Sequence, residues 1–500
     1  MKEKKIIIIG GGIAGLSAGC YGQMNGYKTQ IFEMHTLPGG LCTAWKRKGY
    51  TFDGCIHWLV GSNPDSSSYR IWHELGALKD TTVLNHEIFT QRRMQDGKTF
   101  SVYSDLDKFE RHLKDLSPQD NEIIEEFIKE TCAFINLEMP LETPSSPVRL
   151  LKMFGKMLPL LPKFRKWGRI STHDFAAQFS NPTLRDNFQS IFDMPDFPMI
   201  AMMMTLAWLH KQNAGYPTGG SLAFSQNIEK RYKDLGGTIN YGARVEKILV
   251  TNDRAVGIQL EDGSQHYADI IISAADGYNT IFNMLEGKYI NETIQGYYDH
   301  NPIFPPIIQV SMGIDQDLSE LPASVSYQLD EPIKIANKEE SAIAMRHFCF
   351  DPAMAPEGKS SITVMITSDY DYWKSLAEDQ ERYDAEKKHI GISVMEALDR
   401  YIPGLAKNIE VIDVATPLTT ERYTGNWRGS MEGWLVTTKN ISLAFGKGMK
   451  KTLPGLENFY MTGQWVEPGG GIPTAAMSAR ALIRDLCKKD KKNFITTITD

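Results

Sequence analysis

The hydrophobic pattern at the start of the chain predicts a β-α-β unit. Residues Ile6–Ile9 form a continuous aliphatic run, which is typical of a strand buried on both faces of a parallel sheet. A glycine-rich turn follows, and the apolar spacing after it predicts a helix over Ile13–Asn25 that ends near Gly26. A second strand is predicted over Lys28–Met34. Together the three elements have the length of one β-α-β unit, roughly 30 residues.

Apolar runs elsewhere predict further strands and helices. The predicted strands are Ala243–Val250 and Ala255–Leu260, which flank a polar turn as a hairpin, and Ala268–Ser273, Ile307–Ile314, Ser361–Thr367, Ile409–Val414 and Asn458–Thr462. Helices are predicted over most of residues 105–214, over Ala377–Tyr401 and over Ile472–Leu486, and residues 489–500 form a polar tail. Strands that alternate with helices in this way predict an α/β protein.

Composition and charge narrow the class of protein. Hydrophobic residues make up 42% and charged residues 23% of the 500 residues, which predicts a folded globular protein rather than a disordered one. The net charge of −7 argues against nucleic acid as a partner. No signal peptide is recognised, and no apolar stretch approaches the roughly 20 residues of a membrane span. A cytoplasmic location is therefore expected.

The cysteines predict neither a disulfide framework nor a metal site. The six are Cys20, Cys42, Cys55, Cys132, Cys349 and Cys487, and they contain no C-x-x-C pair and no zinc spacing. Free thiols in a reducing compartment are the simplest interpretation. Cys55 could act as a redox thiol, but because no partner cysteine is expected near it, a packing role is favoured.

The turn Gly10–Gly15 fits the pattern G-x-G-x-x-G. In a dinucleotide-binding turn Gly10 allows the tight bend, Gly12 lets the backbone approach a pyrophosphate, and Gly15 lets the helix pack on the strand. The helix N-terminus then offers free N–H groups to the phosphates. Glu33, which ends the second strand, would accept hydrogen bonds from a ribose diol and disfavours a 2′-phosphate. The motif predicts FAD or NAD, and the alternative is a glycine turn in an unrelated α/β sheet.

Two later glycine clusters favour FAD over NAD. Gly39-Gly40 follows Glu33 after a short loop, and Pro468–Pro473 opens the last predicted helix. A β-α-β unit that binds NAD needs neither cluster. FAD is longer, and a glycine loop at a helix N-terminus can approach the pyrimidine edge of its flavin and stabilise negative charge there.

These motifs follow the order found in the FAD-dependent phytoene desaturase family, which the chain resembles at both ends and in the middle. That family includes carotenoid isomerases and retinol saturases and has the amine-oxidase-like flavoprotein fold. The resemblance lies in Gly10–Gly15, Glu33, Gly39-Gly40, Tyr216–Gly220, Val245 and the stretch from Thr462 to Arg480. It implies FAD as the cofactor, held by Gly10, Gly12, Ile13, Ala14, Gly15, Glu33, Gly39, Gly40, Leu41, Val245, Gly463, Gln464, Gly470, Gly471 and Ile472.

The pattern and the resemblance together predict the domain organisation. A Rossmann-type FAD-binding domain is expected from three discontinuous segments, 1–80, 215–300 and 420–488. An inserted α+β substrate domain is expected from residues 81–214 and 301–419.

Two residues are candidates for acid/base chemistry because the resemblance places them near the isoalloxazine ring. Glu467 stands where desaturases of this type often have a histidine. His57 lies in Phe52–Trp58, which is more similar to the F-D-x-G-I-H-Y stretch of the saturase branch and favours a saturase-like or isomerase-like member. Both side chains can exchange protons near neutral pH when desolvated. The alternatives are that Glu467 orients the glycine loop and that His57 only packs beside the cofactor.

The segment Val148–Ile170 is unusually basic. It contains seven basic and no acidic residues among many apolar ones, which suits contact with an anionic membrane surface. Its alternative is a helical part of the insertion that covers its own core. The Met-rich run Met199–Leu209 could line a tunnel for a lipophilic substrate, but such a run is more often core.

The predicted function is that of an FAD-dependent oxidoreductase acting on C=C or C–C bonds of a polyene, a retinoid or another lipophilic substrate. An external electron donor or acceptor is expected because the chain has a single nucleotide fingerprint. One alternative is a flavin amine oxidase, and another is a flavin-free binding protein for prenylated partners, similar to Rab GDP-dissociation inhibitors. The intact glycine motifs argue against the last.

Overall fold

A five-stranded parallel sheet forms the centre of the nucleotide-binding part. The computed structural model describes residues 3–137, 155, 157–192, 194, 196–445, 449–469 and 471–496. In spatial order the strands of this sheet are Thr238–Asn240, Lys28–Phe32, Lys5–Ile9, Ile270–Ser273 and Phe459–Met461. The isoleucines of Lys5–Ile9 and Ile270–Ser273 are buried on both faces, as the aliphatic runs predict. Because these strands come from separated stretches of the chain, the prediction of a Rossmann-type fold from discontinuous segments is confirmed.

Helices Ile13–Met24, Gly220–Asp234 and Gly471–Lys489 pack together beside this sheet. A buried ion pair joins the last helix to the rest, because Arg480 Nε donates to Glu74 at 2.9 Å. The predicted hairpin is present as Val245–Thr251 and Arg254–Leu260, and Gln265–Tyr267 extends it.

A seven-stranded sheet forms the second part of the fold. Its strands, in spatial order, are Ile409–Ala415, Ile307–Ile314, Ser360–Thr367, Lys338–His347, Ser324–Ile335, Ile88–Arg93 and Thr99–Tyr103. Neighbouring strands are antiparallel except Ser324–Ile335 and Ile88–Arg93, which are parallel. The helix Gln380–Asp399 covers one face through Ile390 and Val394. Four of these strands were not predicted from the sequence.

The other face of the seven-stranded sheet contacts a small hairpin, Ala44–Arg47 and Tyr50–Asp53. Ser361 Oγ donates to the Thr51 carbonyl at 2.9 Å, and Gln309 Nε2 donates to the Asp53 carbonyl at 2.8 Å. This contact positions the segment that leads to His57. A third small sheet contains Leu59–Val60, Ala214–Pro217 and Val83–Leu84.

Helices with an aromatic core form the third part, in agreement with the helical prediction for residues 105–214. The Met-rich helix Met199–His210 is buried among Phe109, Phe127, Phe175 and other rings, so it belongs to the core of this part. Of the basic segment, residues 148–154 and 156 lie outside the described residues. Among the described helices, none combines the length and apolarity that a membrane span requires.

The remaining helices belong to the third part or lie between the other elements. The other α-helices are Tyr69–Leu75, Leu106–Leu116, Asn121–Cys132, Leu161–Trp167, Thr172–Ala176, Pro182–Gln189, Glu292–His300, Tyr370–Leu376, Leu405–Asn408, Pro417–Thr424 and Ser442–Phe445. Short 3₁₀ segments are Pro118–Asp120, Leu158–Leu160, Ser190–Phe192 and Trp427–Gly429, and Asn279–Met284 is a π-helix.

Candidate functional site

A cavity of about 480 Å³ opens at the carboxyl edge of the parallel sheet. Each of four adjacent strands contributes the residues at its C-terminal end: Gly10, Glu33, Ala274 and Gly463. In open α/β sheets this edge is where ligands bind, and the volume lies within the range of small-molecule sites.

Most of the residues assigned to the cofactor line this cavity together. They are Gly10, Gly12, Ile13, Ala14, Glu33, Gly39, Gly40, Leu41, Val245, Gly463, Gln464, Gly471 and Ile472. Gly15 lies behind the wall, and Gly470 lies outside the described residues. The structure therefore brings together residues more than 400 positions apart, roughly the span from Gly10 to Ile472.

The first glycine turn is built for close backbone contact. Gly10 has a φ of +96°, and a Cβ atom at Gly15 would overlap the Gly10 carbonyl oxygen. The helix that follows begins after Gly12 without a capping side chain, and its first turn contains no acidic residue. Its free N–H groups therefore face the cavity as an anion site, which fits a pyrophosphate.

Glu33 presents a buried carboxylate to the same cavity. Its Oε2 accepts a hydrogen bond from the Gly11 amide at 2.5 Å, and its Oε1 accepts one from the His35 amide at 2.7 Å. Burial raises the pKa of Glu33, and these main-chain N–H groups oppose the shift. A carboxylate has about four acceptor positions. Two of them remain for the hydroxyls of a ribose.

Two further segments extend the cavity beyond an adenosine site. The Gly39 amide donates to the Gly11 carbonyl at 2.9 Å, which fixes the second glycine loop against the first. At the far side, Gly463 and the start of the helix Gly471–Lys489 complete the wall, and the first turn of that helix contains no acidic residue. A cavity with phosphate, ribose and distal helix-end positions fits FAD.

Two acidic residues of the cavity wall were not recognised from the sequence. Burial raises the pKa of Glu432 to about 7, and the Gly471 N–H that donates to it opposes the shift. Burial also raises the pKa of Asp276 to about 7, against hydrogen bonds from the Asn279 and Trp427 amides at 2.7 and 2.9 Å. Asp276 follows the strand Ile270–Ser273. Because ligands bind at the carboxyl ends of the strands in open α/β sheets, the sequence could have indicated this residue. Glu432 lies in an irregular segment that gives no such signal.

The two predicted acid/base residues lie outside the cavity lining. Glu467 forms an ion pair with Lys451, with Nζ and Oε2 2.8 Å apart. His57 Nε2 is buried and has no hydrogen-bond partner among the described residues. Burial and the nearby Arg346 cation lower the pKa of His57 well below its ordinary value, so its ring is neutral at pH 7. The catalytic roles of Glu467 and His57 stay predictions.

The expectation that Cys55 has no cysteine near it is wrong. Cys42 and Cys55 both line the cavity. The short hairpin Ala44–Arg47 and Tyr50–Asp53 brings them together, and the sequence pattern did not predict that hairpin.

Known proteins with similar sequences act on polyenes and retinoids, as their names state. The prolycopene isomerase of Arabidopsis thaliana is 24% identical over 487 residues, which cover 94% of this chain and 80% of that protein. The all-trans-retinol 13,14-reductase of Danio rerio is 23% identical over 526 residues, covering 95% of this chain and 85% of that protein. A putrescine oxidase variant shares the fold with a TM-score of 0.63 at 14% identity, covering 97% of this chain and 99% of that one.

A family model described as flavin containing amine oxidoreductase matches residues 13–482. The match begins at Ile13 in the first glycine turn and includes Glu33, the hairpin with Val245 and most of the last helix. It confirms FAD as the predicted cofactor and a flavin-dependent oxidoreductase as the predicted class of enzyme. Because the model covers nearly the whole chain and its cofactor fits the cavity, the chain belongs to the flavin-containing amine oxidoreductase family.

Proposed function

We propose that this protein is an FAD-dependent oxidoreductase that acts on C=C or C–C bonds of a polyene, a retinoid or a similar lipophilic molecule. The observation that carries the proposal is one continuous cavity that offers a phosphate site at a helix N-terminus, a carboxylate for a ribose and a second helix N-terminus at its far side. The relatives of this chain are named for polyene and retinoid chemistry. Bound FAD supplies hydride exchange at its N5 atom.

Within this class, an isomerase or a saturase is favoured over a desaturase. The segment Phe52–Trp58 is similar to the saturase branch, and the relatives compared above are an isomerase and a reductase. Both reactions use reduced flavin. Saturation consumes its electrons, and isomerisation returns them, so only saturation needs a continuous external electron donor.

Glu432 is our first candidate for handling a proton in the cavity. A carboxyl group whose pKa is about 7 is close to half protonated at neutral pH, which suits a group that gives and takes protons. The Gly471 N–H favours its ionised form and so opposes the effect of burial. Glu467 is tied to Lys451 instead, so we assign it the positioning of the loop before the last helix.

Anaerobic incubation with a panel of carotenoids and retinoids tests the proposal. One sample contains oxidised flavin and the other pre-reduced flavin, and chromatography with mass spectrometry shows whether two hydrogen atoms are gained, lost or rearranged. Conversion by the reduced sample supports the favoured reactions. Conversion by the oxidised sample alone identifies a desaturase. Peroxide release with primary amines, without polyene conversion, identifies an amine oxidase instead.

We also propose that residues 157–170 touch an anionic membrane surface. Leu158 and Leu161 expose 66% and 53% of their surface, and Arg165 and Arg169 are exposed nearby. The net positive charge of this surface is smaller than the sequence of the segment suggests. Lys163 pairs with Glu130 at 2.5 Å, and Lys166 pairs with Glu126 at 2.6 Å.

Vesicle sedimentation tests this contact. Binding to vesicles with anionic lipid, and its loss in the double variant Leu158→Ser and Leu161→Ser, is expected. Equal sedimentation of the protein with neutral vesicles, with anionic vesicles and without vesicles would contradict the proposal.

A further inference from the structure

One face of the seven-stranded sheet is polar although it is turned into the protein. A row of directly opposed polar residues, here called the polar ladder, crosses five neighbouring strands: Asp413, Ser311, Thr363, Arg346 and Ser324. Directly opposed residues of antiparallel strands place their side chains on the same face. The other face of this sheet carries the apolar core beneath the helix Gln380–Asp399.

The polar ladder lies on the face that is turned toward the nucleotide-binding part. Ser361, which belongs to the same strand and the same face, donates to the Thr51 carbonyl at 2.9 Å. Phe348 follows Arg346 by two residues, and its ring lies 6.0 Å from the ring of Tyr216. Because residues two apart in a strand share a face, Arg346 lies between these two contacts.

Arg346 brings a positive charge to this face. Among the described residues its guanidinium forms no ion pair and no hydrogen bond. Burial lowers the pKa of Arg346 to about 10, so it is protonated at neutral pH. Two carboxylates near this face are engaged with other groups. Asp53 accepts from the Ser221 hydroxyl and amide at 2.6 and 2.7 Å, and Asp413 accepts from the Trp45 indole N–H at 2.5 Å.

Two further polar groups beside Arg346 have no hydrogen-bond partner in the described part of the chain. Thr363 Oγ1 is buried and unpaired, and Thr363 stands directly opposite Arg346, where Cβ atoms are about 4.5–5.5 Å apart. His86 Nε2 is also buried and unpaired, and its ring lies 4.6 Å from that of Phe350. Burial and the charge of Arg346 lower the pKa of His86 to about 4, so its ring is neutral. Buried polar groups are normally hydrogen-bonded, which indicates a ligand for this group of donors.

Aromatic rings surround these donors. The ring of Phe350 lies 4.6 Å from that of His86 and 5.2 Å from that of Tyr216. Trp58 is partly exposed, and Cys55, three residues before it, lines the cofactor cavity. The cation therefore lies in aromatic surroundings that adjoin the cofactor cavity, which suits a ligand with an apolar body and a charged end.

We propose that Arg346 binds a carboxylate at the end of the lipophilic substrate, with the Thr363 hydroxyl as a second donor. A guanidinium presents its N–H groups as a planar fork that matches the two oxygens of a carboxylate. The protein therefore selects a polyene or retinoid that ends in a carboxylate over the corresponding alcohol or hydrocarbon. This inference rests on the proposed function, because it names the end group of that same substrate.

Binding of three matched retinoids to the holoprotein tests the preference. Retinoic acid, retinol and the hydrocarbon without the oxygen are titrated at neutral pH, and quenching of tryptophan fluorescence gives each Kd. The acid is expected to bind at least about tenfold more tightly than the alcohol. Arg346→Met, which keeps an unbranched side chain without the charge, should raise the Kd of the acid by about 10–100-fold and change the other two by less than about threefold. Thr363→Val should raise only the Kd of the acid, by a smaller factor.

Arg93 provides the matched control on the same sheet. Its guanidinium lies 5.7 Å from the ring centre of Tyr327, which belongs to the apolar core on the other face. Arg93→Met removes the same charge from the protein and should change all three Kd values by less than about threefold. An effect of Arg93→Met on the acid as large as that of Arg346→Met would overturn the site.

Unfolding separates binding from a structural role. Because Arg346 has no ion-pair partner in the described part of the chain, Arg346→Met should unfold at a urea midpoint no lower than that of the unchanged protein. A lower midpoint, together with an equal rise of all three Kd values, would show a structural role and overturn the proposal. Equal Kd values for acid and alcohol in the unchanged protein, or an acid preference that survives in Arg346→Met, would also overturn it.

The conversion assay distinguishes this inference from the proposed function. Acid-selective binding without conversion of any polyene supports the carboxylate site and counts against the proposed reaction. Conversion without any preference for the acid supports the reaction and rejects the site. Failure of all three retinoids to bind would reject the site together with a retinoid substrate.

Discussion

Replacement of Glu33 by glutamine tests how the cavity holds the dinucleotide. The two carboxylate oxygens accept from the Gly11 and His35 amides at 2.5 and 2.7 Å, and only 6% of the residue is exposed. A glutamine keeps one acceptor oxygen and turns its NH₂ group toward the other amide. One charge-assisted hydrogen bond is lost, which costs about 1.5–3 kcal/mol.

The substitution affects stability and FAD binding through two different hydrogen bonds, one to the main chain and one to the ribose. The Gly11 amide belongs to the turn that approaches the pyrophosphate, and the lost oxygen is also an acceptor for the ribose. We expect the FAD Kd to rise by about 10–100-fold. The free energy of unfolding of the stripped protein should fall by about 1–2 kcal/mol. Fluorescence titration with FAD and urea unfolding measure the two effects.

A surface carboxylate provides the matched control. Glu457 is exposed and pairs with Arg254 at 2.5 Å, outside the cavity. Glu457→Gln should change neither quantity by more than about 0.5 kcal/mol. An FAD Kd for Glu33→Gln that equals that of the unchanged protein would refute the assignment of Glu33 to the cofactor.

Three further substitutions test other parts of the site. Burial raises the pKa of Glu432 from 4.5 to about 7. The protonated carboxyl group therefore contributes fully to the free energy of unfolding below pH 4.5, and this contribution is lost as the pH rises through 7. Glu432→Gln should flatten the pH dependence of the urea midpoint in that window, and an unchanged slope contradicts the burial. Gly15→Val should give a colourless protein, because its Cβ overlaps the Gly10 carbonyl oxygen, and a normal flavin spectrum would count against that packing. Glu467→Gln should lower turnover by less than about tenfold at constant flavin content, because Glu467 is assigned to positioning through Lys451, and a loss of about 100-fold or more would favour an acid/base role instead.

The local patterns of the chain predicted the nucleotide-binding part well. The aliphatic run Ile6–Ile9 and the turn Gly10–Gly15 can be recognised from the sequence, because strand burial and turn geometry depend on adjacent residues. The strand Ile307–Ile314 has the predicted bounds for the same reason. By contrast, the long strands Ser324–Ile335 and Lys338–His347 were missed. Asp330–Pro332 interrupt the hydrophobic pattern of the first of these strands. Both strands are defined only by their pairing within the sheet.

Only those residues of the candidate site that belong to sequence motifs were predicted. The glycines and Glu33 are recognisable because their chemistry requires fixed spacing from a strand. The positions of Glu432, Cys42 and Cys55 in the cavity wall arise from tertiary packing, which no local spacing encodes. In the basic segment, likewise, the ion pairs of Lys163 and Lys166 with acids on the helix Asn121–Cys132 depend on tertiary packing.

Polyene conversion by the reduced holoprotein tests the central claim most directly. Protein with fully reduced flavin and protein with oxidised flavin are mixed anaerobically with one carotenoid or retinoid, and product is counted per flavin. We expect product only with reduced flavin, up to one per flavin for saturation and many per flavin for isomerisation. No product in either state across the panel, together with anaerobic reduction of the oxidised flavin by a primary amine, would contradict it.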